Sequence, residues 1–260
     1  SDTGKTWNAL SGPSVTQKGI LMTDQNEGFI YGSRIIKTND NGNTWNNVVV
    51  SNCFSACNVN SDISFFGGSN EIKYTLDGGI SFSTLTVSRI IYAIYFFNAD
   101  TGIYINHWGE IYKTENRGTN WVKVKTIEAC DKADFYFIDD TTGYVVLNLG
   151  SIYKTTDAGL NWTVINTQMG QYFTFVSPNT GWMASYPGGG SIIHKTTDGG
   201  STWAAQHSTS DFRVIYSLEF IDDNTGWAAG YREHILKTTN GGVNWIQQRN
   251  MGNSTPLVSM

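Results

Sequence analysis

The chain has 260 residues and a formal net charge of −5, and 13% of its residues are aromatic while only 15% are charged. An apolar content of 40% argues against a disordered chain, and 17 Lys and Arg against 22 Asp and Glu argue against nucleic acid binding, which needs a basic face. No stretch approaches the roughly 18 apolar residues of a membrane-spanning helix, so we expect no membrane insertion. The many glycines, threonines and aromatic residues are typical of strands and turns, and predict a soluble, β-rich protein.

One motif recurs along the chain, and each copy ends in an aromatic residue. A partial copy opens the chain at residues 1–7. The six full copies, here called box turns, are residues 37–45, 73–82, 113–121, 154–162, 195–203 and 237–245, with sequences such as KTNDNGNTW and KTTDGGSTW. The closing aromatic residues are Trp7, Trp45, Phe82, Trp121, Trp162, Trp203 and Trp245, separated by 38, 37, 39, 41, 41 and 42 residues. This spacing matches the period of about 40–50 residues that propeller blades have.

A second motif lies between the box turns and completes the repeating unit. Its copies are residues 98–105, 139–146, 177–184 and 222–229, each with a Thr-Gly pair after an apolar or alternating run. The unit therefore predicts strand, turn, strand, hairpin, strand, box turn and strand, which is a four-stranded antiparallel blade.

These units predict an all-β propeller in a single domain, residues 1–260. The predicted blades are residues 11–50, 51–87, 88–125, 126–166, 167–207 and 208–250. Residues 1–10 and 251–260 resemble two parts of a further blade, so we expect seven blades in the parent protein and a chain that is a segment of it. A closed six-bladed ring is the alternative.

The box turns have a structural interpretation. Their Asp or Asn is expected to accept backbone hydrogen bonds from two residues on, and the Gly two positions later is expected to supply a positive φ. The closing aromatic residue is expected to fill the gap between neighbouring blades. The Asp or Asn positions are Asp40, Asp77, Asn116, Asp157, Asp198 and Asn240. A calcium loop is the alternative, but one carboxylate per turn is too few oxygen ligands, so we predict no metal and no cofactor.

On these motifs the sequence resembles the Asp-box (BNR, sialidase-type) repeat family. The fuller unit, a Thr-Gly-Trp turn followed by I-x-K-T-T-D-G-G-x-T-W, is most similar to propellers related to the photosystem II stability/assembly factor. The resemblance covers nearly the whole chain. It implies a seven-bladed propeller that acts as a non-enzymatic binding platform; a photosynthetic role does not follow from it.

Candidate binding residues are those that the repeat does not require, on the hairpins between second and third strands and on the links between blades. By analogy with other propellers, this face is opposite the box turns. The candidates are Arg34, Arg89, His107, Trp108, Tyr186, Arg213, Tyr231, Arg232 and His234. One interpretation is a protein or glycan site in which rings stack and arginines pair with acidic groups. The other is that Trp108 packs on the adjacent blade and that Arg232 and Glu233 form a solvated pair.

A glycoside hydrolase, sialidase-like or with a carboxylate pair, is an alternative function. Four arginines could face one pocket, but the Arg-Ile-Pro element of sialidases is absent. A carboxylate pair would come from Glu71, Glu110, Asp211 or Glu233, and no spacing marks two of them as partners. We therefore predict no catalytic residues and a non-catalytic binding or assembly module. A purely architectural spacer in a larger chain or assembly is the third possibility.

The cysteines and histidines indicate no metal or redox chemistry. Cys53 and Cys57 are close enough in sequence for a local disulfide, with free thiols as the alternative, and Cys130 is expected to be a buried thiol in a first strand. The histidines lack zinc-site spacing. Few cysteines with much Asn, Thr and Trp favour an extracytoplasmic protein, whether secreted, periplasmic or on the cell surface.

Overall fold

The computed structural model describes residues 16–147, 151–166, 170–209, 214–231 and 234–249. The chain divides into two compact units, Ser1–Phe135 and Tyr136–Met260. The described residues contain six antiparallel sheets, each of four strands in chain order, which confirms the all-β prediction and the six four-stranded repeats. Among these residues, no helix has the length and apolar character that crossing a membrane requires. The predicted seventh blade depends on residues 1–10 and 251–260, which lie outside the described ranges.

The first unit holds three sheets. Sheet 1 consists of β1 (Gln17–Met22), β2 (Gly28–Gly32), β3 (Ile35–Thr38) and β4 (Asn46–Val49). Sheet 2 consists of β5 (Cys53–Asn58), β6 (Ser64–Gly68), β7 (Glu71–Thr75) and β8 (Ser83–Thr86). Sheet 3 consists of β9 (Ile91–Phe96), β10 (Gly102–Asn106), β11 (Glu110–Thr114) and β12 (Val122–Thr126).

The other three sheets follow, and the first strand of sheet 4 spans the boundary between the units. Sheet 4 consists of β13 (Ala133–Phe137), β14 (Gly143–Leu147), β15 (Ile152–Thr155) and β16 (Thr163–Asn166). Sheet 5 consists of β17 (Gly170–Phe175), β18 (Gly181–Ser185), β19 (Ile192–Thr196) and β20 (Ala204–Ser208). Sheet 6 consists of β21 (Ile215–Phe220), β22 (Gly226–Gly230), β23 (His234–Thr238) and β24 (Ile246–Arg249).

Each box turn is organised by a buried threonine at the end of the third strand. In sheet 1, the Thr38 hydroxyl donates to Asp40 Oδ1 at 2.8 Å and accepts the Gly42 N–H at 2.8 Å. Asp40 Oδ1 also accepts the N–H of Thr44, four residues on, at 2.8 Å. The prediction that this carboxylate accepts the N–H two residues on is therefore wrong. The turn is longer than an Asx-turn and brings the N–H four residues on to the carboxylate. The same three bonds recur in all six box turns, and in two of them an asparagine, Asn116 or Asn240, replaces the aspartate.

The glycine of each box turn has the predicted positive φ, from 81° at Gly118 to 91° at Gly242. The residue before it also has a positive φ, which the sequence did not indicate. That residue is Gly78, Gly199 or Gly241 in three turns, but Asn41, Arg117 and Ala158 adopt φ of 57° in the others. A left-handed conformation strains an L-residue by about 1–2 kcal/mol.

Asx-turns do occur, at the turn between the first and second strands. Asn98 Oδ1 accepts the N–H groups of Asp100 and Thr101 at 3.0 and 2.9 Å. Asp24, Asn60, Asp139 and Asp222 make equivalent pairs of bonds, and Ser177 uses its hydroxyl. Each of these turns also accepts one N–H from the box turn of its own sheet, for example Arg117 N–H to the Asp100 carbonyl at 2.8 Å. In each sheet, the turn between the first and second strands and the box turn therefore stabilise each other through this hydrogen bond.

The core between neighbouring sheets is built from stacked rings. Within the first unit, Phe65 of β6 stacks on Phe96 of β9 with the ring planes 3° apart, and Trp121 meets Phe96 edge-on. Phe96 also lies against Gly102 of its own sheet, where an added Cβ would come within 2.7 Å of the ring. The glycine of the Thr-Gly motif is thus required by close packing. The closing aromatic residue packs at the junction of two sheets, as predicted.

The second unit repeats this arrangement, and its ring-bearing side chains also hydrogen-bond to the backbone of the next sheet. Trp182 stacks on Phe220 with ring centroids 3.6 Å apart, and its Nε1 donates to the Gly241 carbonyl at 3.0 Å. Tyr144 stacks on Phe175 and donates its hydroxyl to the Gly199 carbonyl at 3.1 Å. In both cases the residue after the Thr-Gly pair fastens its sheet to the box turn of the next one.

The three cysteines are free and buried. Cys53 and Cys57 both lie on β5, on its buried face, and four residues of an extended strand separate their Cα atoms by about 13 Å. A bridge requires less than about 7 Å, so the disulfide alternative is wrong. Cys130 is buried as expected, but it lies before β13. Burial raises the pKa of all three thiols to about 11.

Candidate functional site

The predicted hairpins and links lie at the same end of the sheets in the first unit. The links run against the hairpins through backbone hydrogen bonds: Ser33 N–H to the Thr16 carbonyl, Val87 N–H to the Asn70 carbonyl, and His107 N–H to the Ile90 carbonyl. We call this surface the hairpin face; it comprises hairpin residues 33–34, 69–70 and 107–109 with links 50–52, 87–90 and 127–132.

On the hairpin face, the turn between β10 and β11 carries Trp108 and is held by several hydrogen bonds. Asn106, the last residue of β10, is fully buried. Its Oδ1 accepts the N–H groups of Trp108 and Glu110 at 3.0 and 3.1 Å, and its Nδ2 donates to Glu110 Oε2 at 2.9 Å. The Asn106 side chain therefore accepts two backbone N–H groups of the turn and also binds the carboxylate of Glu110, the first residue of β11.

Two links clamp this hairpin from either side. On one side, the His107 N–H donates to the Ile90 carbonyl at 3.2 Å. On the other, the N–H groups of Ile127 and Cys130 donate to the carbonyls of Gly109 and His107 at 2.9 and 3.2 Å. Gly109 has φ of 73°, and an added Cβ would overlap the Glu128 carbonyl oxygen. The hairpin is therefore fixed before any partner arrives.

Trp108 remains 47% exposed, although Arg89 covers part of it. The guanidinium carbon of Arg89 lies 3.6 Å from the Trp108 ring centroid, which is a close cation–π contact. The His107 ring lies 5.2 Å from the Trp108 ring at an angle of 52°. The structure thus brings together three of the predicted residues, one on the link before β9 and two on the hairpin after β10.

The other predicted residues are not part of this cluster. Arg34 is exposed on the hairpin between β2 and β3. Tyr186 and Tyr231 belong to the second unit, where each is half-buried directly after a second strand. Arg213 and Arg232 lie outside the described residues, as does the side chain of His234.

The carboxylates proposed for hydrolysis are occupied. Glu71 accepts the Ser51 hydroxyl at 2.6 Å and pairs with Lys73 at 3.1 Å; the Ser51 bond, followed by Lys73, lowers its pKa. Glu110 accepts Asn106 Nδ2 and the Tyr112 hydroxyl, and the Asn106 bond is the main reason that its pKa is lowered. A glycosidase acid needs a raised pKa, so these two residues do not fit that role. Asp211 and Glu233 lie outside the described residues.

The structure shows further candidates that the repeat pattern did not reveal. Lys18, Phe54 and Tyr92 lie at equivalent positions, second in the first strands of sheets 1 to 3, and none of them is fully buried. In the sequence, these three residues share only their position in the repeat. Because their side chains differ chemically, that position did not mark them as a site. Among the described residues, no group of three or more His, Cys, Asp or Glu is arranged to hold a metal ion.

Comparison with known proteins relates the chain by structure and not by sequence. No protein-family model matches it, and no curated protein matches its sequence. A solved structure described as YCF48 bound to D1 peptide has a TM-score of 0.72 and 18% identity, covering 88% of this chain and 80% of that one. YCF48 from Cyanidioschyzon merolae has a TM-score of 0.71 and 16% identity, covering 88% and 83% of the two chains.

Enzymes share the same fold. The GH74 xyloglucanase from Xanthomonas campestris has a TM-score of 0.71 and 12% identity, covering 89% of this chain but 45% of the enzyme. The YCF48 structures and the xyloglucanase thus match this chain with nearly equal TM-scores, although the match covers less than half of the enzyme. The likeness shows a fold of the β-propeller class, in agreement with the repeat and with the resemblance to photosystem II assembly factor-like propellers.

Proposed function

We propose that the chain is a non-catalytic binding or assembly module that recognises a protein partner through the hairpin face. The observation that supports this most strongly is Trp108, which is 47% exposed on a hairpin whose backbone is fixed on both sides. Tryptophan and arginine are both among the residue types enriched at interface hot spots. Because the hairpin is already ordered, a partner would meet a low entropic cost on binding.

The structural neighbours are consistent with this proposal without deciding it. One of them is described with a bound peptide, which favours a protein partner over a glycan. The carboxylates Glu71 and Glu110 have lowered pKa values, which disfavours a hydrolase that uses these two groups. An extracytoplasmic location and membership of a larger assembly stay proposals that rest on the sequence.

A peptide-display selection on the immobilised full chain tests the function. We expect peptides whose binding falls about 30-fold or more in Trp108→Ala, the loss of a 2 kcal/mol hot spot. The control is Ile80→Ala, which removes an even more accessible apolar side chain from a box turn, since Ile80 is 87% exposed. Peptides that bind both variants as they bind the parent would refute the proposed site, and a selection that yields no binder would favour the architectural role.

A further inference from the structure

The first strands of the first unit share an irregularity at the end that meets the hairpin face. The pairing between first and second strands shifts by one residue between Gln17 and Gly19, and again between Cys53 and Ser55. In sheet 3 the shift lies opposite Asn106, whose partner is Ile91, while Ile105 pairs with Ala93. The extra residues are Lys18, Phe54 and Tyr92. A bulge of this kind re-aims a side chain that regular pairing would place elsewhere.

The three bulge residues form a continuous row across three sheets. Lys18 Nζ lies 5.9 Å from the Phe54 ring centroid, and the Phe54 ring meets the Tyr92 ring edge-on with centroids 6.3 Å apart. Lys18 is exposed and both rings are half-buried. The row therefore offers accessible aromatic surface with a cation at one end.

This row continues into the Trp108 cluster. Ile91, the residue before Tyr92, pairs with Asn106. His107 follows Asn106, and its N–H donates to the Ile90 carbonyl. From His107 the contacts lead to Trp108 and then to Arg89. We call the whole set the aromatic track; its members, in the order in which these ring contacts and backbone bonds connect them, are Lys18, Phe54, Tyr92, His107, Trp108 and Arg89.

The charges along the aromatic track are arranged unevenly. Its two cations lie beside different rings, Lys18 beside Phe54 at one end of the connected set and Arg89 beside Trp108 at the other. Neither is in an ion pair among the described residues, whereas Lys37, Lys73, Arg117 and Lys123 are. In the middle, burial raises the pKa of Tyr92, and the nearby charge of Asp131 raises it further. Acidic groups of a ligand are therefore favoured at the ends and disfavoured in the middle.

The ring spacing matches an extended polypeptide. Two residues of a strand advance by about 6.4–6.8 Å and bring side chains to the same side. The Phe54 and Tyr92 centroids are 6.3 Å apart. An extended peptide can therefore place the side chains of residues i and i+2 on these two rings.

We infer that the aromatic track binds an extended peptide with apolar side chains two residues apart and acidic residues on both flanks. The inference rests on the proposed function and assigns it a ligand class. It also extends the site from sheet 3 to the first strands of sheets 1 and 2, where the predicted candidate residues did not lie.

Three blocked synthetic peptides test the inference against the full chain by calorimetric titration. The first has the sequence Asp-Asp-Gly-Leu-Thr-Leu-Gly-Asp-Asp, the second replaces all Asp by Lys, and the third replaces both Leu by Ser. We expect the first to bind at least about 10-fold more tightly than either of the others, and its advantage over the second to shrink at high salt. Equal affinities for the three peptides would overturn the ligand class.

Variants then locate the site. We expect Lys18→Gln and Arg89→Gln each to weaken the first peptide about 5-fold, and Tyr92→Ala to weaken it about 10-fold or more. Tyr92→Phe keeps the ring, and its affinity for the first peptide should stay within about 2-fold of the parent's. A weak Tyr92→Ala variant beside a normal Tyr92→Phe variant would show that the ring contact is lost and that the fold is intact. If library-selected peptides depend on Trp108 but not on Lys18 or Tyr92, the track is wrong and the proposed function stands. If neither designed nor selected peptides bind, both fail.

Discussion

The Arg89 guanidinium carbon lies 3.6 Å from the Trp108 ring centroid, and the indole still keeps 47% of its surface exposed. A side chain that contributes to the core has a different environment, as Trp182 shows. That indole is fully buried, stacks on Phe220 and donates to the Gly241 carbonyl. Of the two tryptophans, Trp182 therefore has the contacts of a core residue, whereas Trp108 does not.

Replacing these two tryptophans should affect stability to very different extents. Trp108→Ala removes a half-exposed ring and should change the free energy of unfolding by less than about 1 kcal/mol. Trp182→Ala leaves a cavity between two sheets and should cost about 3–5 kcal/mol. Urea unfolding followed by circular dichroism measures both. A large stability loss in Trp108→Ala would indicate that this side chain is structural.

The buried threonine of the box turn should matter as much as the aspartate. Thr155→Val keeps the side-chain volume but removes the hydroxyl that bonds Asp157 and Gly159. The buried Gly159 N–H then lacks its partner, and the expected cost is about 2–3 kcal/mol. Thr155→Ser, which retains the hydroxyl, should cost clearly less. Equal losses in the two variants would show that the methyl group, and not the hydrogen bonds, is what matters.

The left-handed position before the box glycine offers a stabilising substitution. Ala158 has φ of 57°, so Ala158→Gly relieves backbone strain and should stabilise the chain by up to about 1 kcal/mol. The greater backbone entropy of glycine in the unfolded chain offsets part of this gain. Gly78→Ala is the matched reverse change, since its added Cβ meets nothing closer than the Ser61 carbonyl at 3.5 Å. It should destabilise by a similar amount. Gly79→Ala should cost more, because its Cβ would come within 2.8 Å of the Phe29 ring.

Stability should fall in acid because of the box-turn aspartates. The hydroxyl and then the N–H of Ser81 lower the pKa of Asp77 from 3.8 to about 2, and Thr202 does the same for Asp198. A lowered folded-state pKa stabilises the protein above the unfolded-state value, and this stabilisation is lost as the pH falls from about 4 towards 2.

Asparagine substitutions provide the control, because Asn116 and Asn240 accept the equivalent threonine hydroxyl and backbone N–H without a titrating group. In the double variant Asp77→Asn and Asp198→Asn, the unfolding temperature should fall less steeply between pH 5 and 2 than it does in the parent. Parallel pH profiles for the two proteins would show that these carboxylates do not contribute to acid unfolding.

Sequence periodicity was sufficient to predict the sheets, because each one is a local repeat with its own turns. The box-turn glycines followed from spacing, and Trp108 was singled out because it alone among nine tryptophans is not required by the repeat. The contacts of the site were not predictable. Arg89 and Trp108 are 19 positions apart, and their meeting depends on how the link before β9 crosses the hairpin after β10. The bulges that present Phe54 and Tyr92 depend on register, which no local motif specifies.

A protein segment that binds the hairpin face of the first unit should slow amide hydrogen exchange there. This is measured on the full chain, with and without a display-selected peptide. We expect added protection in residues 87–90, 106–110 and 127–130, and none in the box turns. Protection confined to the box turns or to the second unit would contradict binding at the hairpin face.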